Sequence, residues 1–253
     1  MEILYLIIFF ILGTILGTIY TLVGLRLPNN EKIFTKRKCK KCGHDLKFLD
    51  LIPLVSYIVG KGRCRYCHGK IDILFPYMEF FTGLLFSVAY YSFGFSYQLL
   101  IALGIISLLM IIVVSDLTYL IIPDEVLIIS SIYFLIIQFL DLGIKGAFNH
   151  LLSGIFLFTI MYIVMILGNV IFKKESLGGG DIKMMFVFGL VLDPLLGTLS
   201  IFLGSLFALP MSMYLMKKNN EKVIPFGPFL LIAFVFIYFT KITPEGLIKL
   251  LGF

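Results

Sequence analysis

Acidic residues lie in or beside long apolar stretches at three places: Asp116, the pair Asp124 and Glu125, and Asp181. Acidic side chains at membrane depth are costly and usually have a function. Asp116 closes an apolar run, where a carboxylate would meet the negative end of the helix dipole, so helix capping does not explain it. Asp124 follows Pro123 at the start of the next run, where an acid in the first helical turn is favourable and needs no other role.

Three glycines, Gly178, Gly179 and Gly180, directly precede Asp181. Glycines allow close backbone approach and positive φ angles where a chain re-enters the membrane, and irregular backbone at that depth is tolerated only against protein or a water-filled cavity. Asp181 could therefore be a helix N-cap after a flexible link, or an aspartate that water can reach. Two aspartates that share one proton can activate a water and polarise a scissile carbonyl. We predict Asp116 and Asp181 as a catalytic pair, with the three glycines as active-site backbone.

All four cysteines lie in one basic segment, in the pattern Cys39-x2-Cys42 and Cys64-x2-Cys67. This spacing is typical of a tetrathiolate zinc site, in which each pair forms a tight turn that aims two thiolates at one tetrahedral ion. Metal binding can stabilise a loop that lacks a sizeable apolar core, so we predict a structural Zn²⁺. Two alternatives stay open. Disulfides fit a reducing compartment poorly, and Cys64-x2-Cys67-His68 also matches a haem-attachment signature.

The elements that must position these residues are membrane helices. Of 253 residues, 60% are apolar and only 14% are charged, whereas a soluble domain needs about a quarter charged. This composition excludes a soluble globule, disorder, collagen and coiled coil. The apolar runs predict an all-α polytopic membrane protein of about eight transmembrane helices, at 3–25, 76–94, 97–115, 122–140, 150–172, 182–192, 194–216 and 225–241. The first is predicted to be a retained anchor, because no small-residue cleavage site follows it.

The distribution of Lys and Arg predicts the topology. With eight spans, segment 26–75 and the connections between the fifth and sixth and between the seventh and eighth spans lie on one side. That segment and the residues that flank the two connections carry eighteen of the twenty-one cations, and cytoplasmic loops carry such an excess. Both termini are therefore expected outside, with the cysteine loop, Asp116 and Asp181 at the cytoplasmic face. The net charge of +6 thus reflects topology beside a lipid bilayer. No nucleic-acid partner is expected, because aromatic residues do not interleave regularly with the cations.

The motifs in their order resemble the type IV prepilin peptidases, the membrane aspartic peptidases with a G-x-G-D motif. The resemblance spans nearly the whole chain and departs at Thr118, where the family often has a second acid, and at Thr21, where it usually has Asn. Its pieces are the stretch at 17–28, the double C-x2-C, DLIPLVSY at 50–57, PYME at 76–79, Asp116 with IPD at 122–124, GGGD at 178–181 and PFGP at 225–228.

The resemblance implies a bifunctional enzyme of the bacterial inner (plasma) membrane. The family's catalytic aspartates fall on Asp116 and Asp181, and its zinc ligands on the four cysteines. Its members cut the leader from type IV prepilin or pseudopilin precursors at the cytoplasmic face, then methylate the new N-terminal residue with S-adenosylmethionine. Residues 1–75 would form the first transmembrane helix with the methyltransferase-associated zinc loop, and residues 76–253 the transmembrane aspartic peptidase core. Glu79 is either a contributor to methylation or a buried, hydrogen-bonded glutamate.

The alternative function is an ion- or proton-coupled transporter that uses Asp116 and Asp181 as a relay at a broken helix. It accounts for the paired acids and the glycines but not for the cysteine loop, and the sequence shows no inverted repeat. A membrane cytochrome that uses Cys64, Cys67 and His68 is a second alternative.

Overall fold

A computed structural model describes residues 2–33, 35, 38–39, 41–46, 50, 52–173, 177–218 and 225–250. The chain forms two compact units, Met1–Phe95 and Ser96–Phe253. Within the described ranges the regular structure is helical, with two isolated β-bridges and no strand, which confirms the all-α prediction. Some of the cations used for the topology lie outside the described residues: Lys36, Arg37, Lys40, Lys47, Lys174 and Lys222.

The first unit is built on two packed helices, α1 (Glu2–Arg26) and α3 (Leu74–Phe93), with the short α2 (Val55–Val59) between them in sequence. Small residues let the two backbones touch: a Cβ at Gly13 would lie 2.7 Å from the Cα of Gly83, and one at Gly17 would lie 2.8 Å from Thr82 Oγ1. Close packing at such small residues is how helices associate when lipid surrounds them. Gly13 and Gly17, four residues apart on α1, therefore allow α1 to pack directly against α3.

The second unit surrounds a short buried helix, α6 (Gly179–Gly189). At eleven residues it is about 16 Å long, too short to cross a bilayer by itself. Met184, Met185 and Phe188 of α6 are fully buried, and the Phe188 ring stacks on Phe234 at 4.1 Å. The other helices are α4 (Tyr97–Tyr119), α5 (Asp124–Phe172), α7 (Pro194–Lys218), α8 (Gly227–Thr240) and α9 (Pro244–Leu250).

Helix α5 joins two predicted spans. The sequence predicts helices at 122–140 and 150–172 with a connection between them, whereas the structure continues the helix through the connection and breaks it only at Gly143, with φ 69° and ψ −170°. Glycine adopts a positive φ at no steric cost. The connection is therefore a single-residue break.

Four segments in the described part of the chain are long and apolar enough to cross a membrane: Glu2–Asn29, Tyr97–Tyr119, Asp124–Ile171 and Pro194–Tyr214. A shorter apolar helix covers Gly227–Thr240. The chain is thus a polytopic membrane protein, and the count of eight spans stays a prediction. So does the functional division after residue 75. The first compact unit extends further, to Phe95, and includes α3.

Candidate active site and metal centre

Asp116 lies in the last turn of α4. The helix ends at Tyr119, and the N–H of Leu120, which has a left-handed φ of 57°, donates to the Asp116 carbonyl. The helix thus runs four residues beyond the predicted end of this span, at 115, but Asp116 is still at the negative end of the dipole. Its side chain is only 5% exposed. Neither capping nor solvation accounts for this carboxylate.

Asp181 lies in the first turn of α6, and its side chain is 8% exposed. The N-cap interpretation of Asp181 is wrong, because Gly178 occupies that position and no side chain caps the helix. An acid in the first turn is favoured by the dipole. Helix formation therefore tolerates Asp181 here, while its burial is set by the packing around it.

The three glycines act through the space they leave. A Cβ at Gly178 would lie 3.1 Å from Asp181 Oδ2, and one at Gly180 would lie 2.8 Å from the Cβ of Ile122, whereas Gly179 has nothing within 4 Å. Close backbone approach is therefore found at two of the three. The glycines do not use the positive φ angles that their type allows: Gly178 has φ −70° and ψ 138°, and the helix begins at Gly179.

Asp116 and Asp181 are brought together across Ile122. The Ile122 side chain lies against both the Gly180 and the Gly227 positions, and a Cβ at Gly227 would lie 3.1 Å from Asp116 Oδ2. The two carboxylates are near enough for Asp116 to act electrostatically on Asp181. This arrangement also explains the PFGP sequence at 225–228, since its glycine opens α8 directly against Asp116.

Each carboxylate has an oxygen with no hydrogen-bond partner among the described residues: Asp116 Oδ2 and Asp181 Oδ1, both buried. Buried polar atoms without partners are rare in proteins. Ionisation of both carboxyl groups in such a buried pair is also unfavourable, because each negative charge disfavours the other. The pair can therefore share one proton and offer acceptor oxygens to a water or a polar substrate group.

An ion pair that the sequence analysis missed lies beside this site. Lys183 Nζ donates to both carboxylate oxygens of Asp124, at 2.8 Å to Oδ1 and 2.7 Å to Oδ2. Sequence reasoning had explained Asp124 by its helix terminus alone. The available signal was the position of Lys183, two residues after Asp181 in an apolar segment.

The four cysteines form one cluster in the first unit. Their Sγ atoms all lie within 4.8 Å of one another, and the Sγ atoms of Cys39 and Cys67 are 3.8 Å apart. All four are free thiols. Four sulfur atoms converging from two C-x2-C turns are the ligand set of a tetrahedral metal site. The predicted residues are thus positioned to bind one metal ion.

The two cysteine turns share one backbone design. The N–H of Cys39 donates to the carbonyl of His44 at 2.9 Å, and that of Cys64 donates to Gly69 at 2.8 Å. The residue after each second cysteine has a positive φ, 69° at Gly43 and 55° at His68. His68 thus occupies the place that a glycine fills in the other turn.

The environment of Cys39 favours its thiolate. The backbone N–H groups of Cys42 and Lys41 lower the pKa of Cys39 from 9.0 to about 6. Metal ions bind the thiolate form. At Cys67, in contrast, burial and hydrogen bonds with the neighbouring thiols raise the pKa to about 11, so the backbone favours the thiolate at Cys39 in particular.

Glu79 joins three parts of the first unit. The Thr18 hydroxyl of α1 donates to Glu79 Oε1 at 2.7 Å, and the backbone N–H of Leu54 donates to Oε2 at 2.8 Å. Leu54 has φ 59° and ψ −47°, a conformation that is strained for a residue with a side chain. Glu79 is 7% exposed. It is therefore a buried, hydrogen-bonded glutamate, one of the two interpretations of the sequence.

Two protein-family models match this chain, each over the segment that contains one of the two sites. A model of the "Bacterial Peptidase A24 N-terminal domain" matches residues 11–93, and a model of the "Type IV leader peptidase family" matches residues 103–213. The first match contains the cysteine cluster and Glu79. The second contains Asp116 and Asp181.

Three curated relatives share the name "Prepilin leader peptidase/N-methyltransferase". A relative from Bacillus subtilis is 34% identical over 189 residues, 73% of each chain. One from Myxococcus xanthus is 31% identical over 78% of this chain and 59% of its own. One from Vibrio cholerae is 26% identical over 95% of this chain and 98% of its own. No solved structure matches.

Proposed function

Because this chain belongs to the type IV leader peptidase family, we propose that it cleaves the leader peptide of type IV prepilin-like precursors with Asp116 and Asp181 as the catalytic pair. One observation carries this proposal. The two aspartates, from α4 and α6, are both buried and near enough to interact electrostatically, and each keeps an oxygen without a partner among the described residues.

The chemistry follows from one proton shared between two carboxylates. The ionised carboxylate accepts a proton from a water, which attacks the scissile carbonyl carbon, while the protonated carboxyl donates a hydrogen bond to the carbonyl oxygen. The C–N bond of the tetrahedral intermediate then breaks as the proton taken from water passes to the leaving amine, which leaves one carboxylate ionised and the other protonated, as before. Because the carboxylates interact, their titration belongs to the pair and not to either residue. The absence of a side chain at Gly178 leaves space beside Asp181 Oδ2.

We further propose that the enzyme resides in the bacterial inner membrane with this site at the cytoplasmic face. The support is the excess of Lys and Arg in the loops on one side of the predicted topology. A prepilin whose apolar segment lies in the bilayer would then present its leader junction at the membrane boundary, near the end of α4. Prepilin or pseudopilin precursors and the lipid bilayer are the proposed partners.

The second proposed activity is N-methylation of the residue exposed by cleavage, with S-adenosylmethionine as the methyl donor. The names of the relatives support it, and we assign it to residues 1–75, with the peptidase core at 76–253.

We propose Zn²⁺ as the structural metal held by Cys39, Cys42, Cys64 and Cys67. A d¹⁰ ion suits four thiolates, and its binding energy would fold a loop with little core of its own.

Isosteric substitution tests the catalytic pair. Asp116→Asn and Asp181→Asn should each reduce leader cleavage by at least about a hundredfold, because an amide can neither accept the proton of water nor carry the shared proton. The measurement is the loss of leader mass from a prepilin incubated with membranes that contain each variant. Asp193→Asn is the matched control, since this acid of the same unit is exposed. Full cleavage by either pair variant, at equal membrane content, would contradict the proposal.

A further inference from the structure

We propose that the ion pair between Lys183 and Asp124 is a positioning device for the catalytic pair, which holds the start of α6 against the start of α5. The proposal rests on the proposed peptidase function for its kinetic readout. Lys183 Nζ donates to both carboxylate oxygens of Asp124. Asp124 is the first residue of α5, and Lys183 lies near the start of α6.

A continuous line of contacts connects this ion pair to the carboxylates. Asp124 opens α5 two residues after Ile122. Ile122 in turn lies against Gly180 of α6 and against Gly227, whose backbone lies beside Asp116. Any movement of the α5 start relative to the α6 start would therefore move Ile122 and change the separation of Asp116 and Asp181.

Lys183 acts through its helix and not by reaching the carboxylates. Residues two apart on a helix do not face each other. Accordingly Asp181 is buried at 8% exposure, while the side chains of Lys183 and Asp124 are 52% and 56% exposed. The ion pair lies on the outer side of α6, and Asp181 lies on the inner side.

The exposure of the pair also indicates what it does not do. Ion pairs that water can reach add little to folding stability. The bridged geometry instead restricts the position of one helix start relative to another, and small displacements of catalytic groups are costly to the rate. The expected signature is a lower kcat at nearly constant KM and thermal stability.

A double-mutant cycle tests the proposal. Asp124→Asn and Lys183→Gln should each lower kcat for prepilin cleavage about threefold to tenfold, with KM nearly unchanged. The double variant should be no slower than either single variant, because each one already removes the whole interaction. Lys183→Arg, which can also bridge a carboxylate, should retain most of the rate.

The control is Glu125→Gln, which removes the same charge one residue along the same helix. Glu125 is exposed and makes no side-chain hydrogen bond or ion pair among the described residues, so its variant should keep the wild-type kcat. Additive losses in the double variant, or a change confined to KM, would assign the two residues separate roles in substrate binding and overturn the proposal.

Hydrogen exchange provides a readout that needs no substrate. Both single variants should speed amide exchange at residues 178–183 to the same extent, and the double variant should add nothing. Unchanged exchange in all three would overturn the positioning role even if the chain had no peptidase activity. The Asp116→Asn variant, which keeps the ion pair, should show wild-type exchange while losing cleavage, so the two proposals fail independently.

Discussion

Gly180 and Gly179 are neighbours in one glycine run, but their surroundings differ. A methyl group at Gly180 would lie 2.8 Å from the Cβ of Ile122, closer than real Cβ atoms approach, so either α6 or Ile122 must shift. Gly179 faces open space. We expect Gly180→Ala to lower the cleavage rate about tenfold through displacement of Asp181.

Gly179→Ala is the comparison for this prediction. It also replaces a glycine with the residue that favours helices most, so it reports any effect of stiffening the helix start without a clash. Cleavage rates of the two variants, measured at equal membrane content, should differ clearly, with the larger loss at Gly180. Equal rates would mean that contact with Ile122 does not set the position of Asp181.

At the residue scale, chemical type was readable from the sequence but partners were not. Acids beside apolar runs and paired cysteines were conspicuous, because both are rare and costly without a role. Ile122 and Gly227 carry no such signal. Their importance comes from lying between or against Asp116 and Asp181, which is a property of packing.

At the element scale, Glu79 fastens the turn at Leu54 to α1 and α3. Glu79→Ala would leave the buried Thr18 hydroxyl and the partly buried Leu54 N–H without this acceptor, at a cost of about 1–3 kcal/mol for the buried group and less for the other. We expect the unfolding temperature of the purified protein to fall by several degrees, and protease cleavage near residues 52–60 to become faster.

Glu79→Gln separates hydrogen bonding from charge in this prediction. A glutamine can accept from the Leu54 N–H and donate to the Thr18 oxygen, so it should keep most of the stability. If Glu79→Gln were as unstable as Glu79→Ala, the negative charge of Glu79, and not its hydrogen bonds, would hold the turn.

The helices themselves were largely predictable, and their breaks were not. Apolar length located α1, α4 and α7 well. The sequence predicts two spans where the structure has α5, with the charged Asp141 and Lys145 between them. In the structure the helix is broken only at Gly143. Similarly, the hydrophobicity of α6 did not reveal that its stability depends on burial by other helices.

At the scale of the whole molecule, the two proposed activities act one after the other. Cleavage creates the amine that methylation consumes. Cys64→Ser, which removes a metal ligand, should release bound metal and lower methylation at least about tenfold, while a larger share of leader cleavage remains. Metal analysis of the purified protein and the mass of the processed pilin, with or without one added methyl group, measure both effects.

Two further variants make this prediction specific. His68→Gly should keep the metal, because glycine adopts the positive φ of this position more readily. A haem-attachment role for Cys64, Cys67 and His68 instead predicts a visible absorption spectrum that this change alters.

The Asp116→Asn variant should methylate a pilin supplied without its leader but not the intact precursor. Loss of methylation on both substrates would contradict separate sites.

The sequence by itself determined the class of protein, the helices and the residue types that can do chemistry, because hydrophobic length, rare buried acids and cysteine spacing are local properties of the chain. Tertiary structure decided which groups meet. It brought Asp116 and Asp181 together across Ile122, joined Lys183 to Asp124 and tied Leu54 to Glu79, since each contact links residues distant in sequence. Packing against Asp181 and Ile122, and not a positive φ, determines what the glycines at 178 and 180 do.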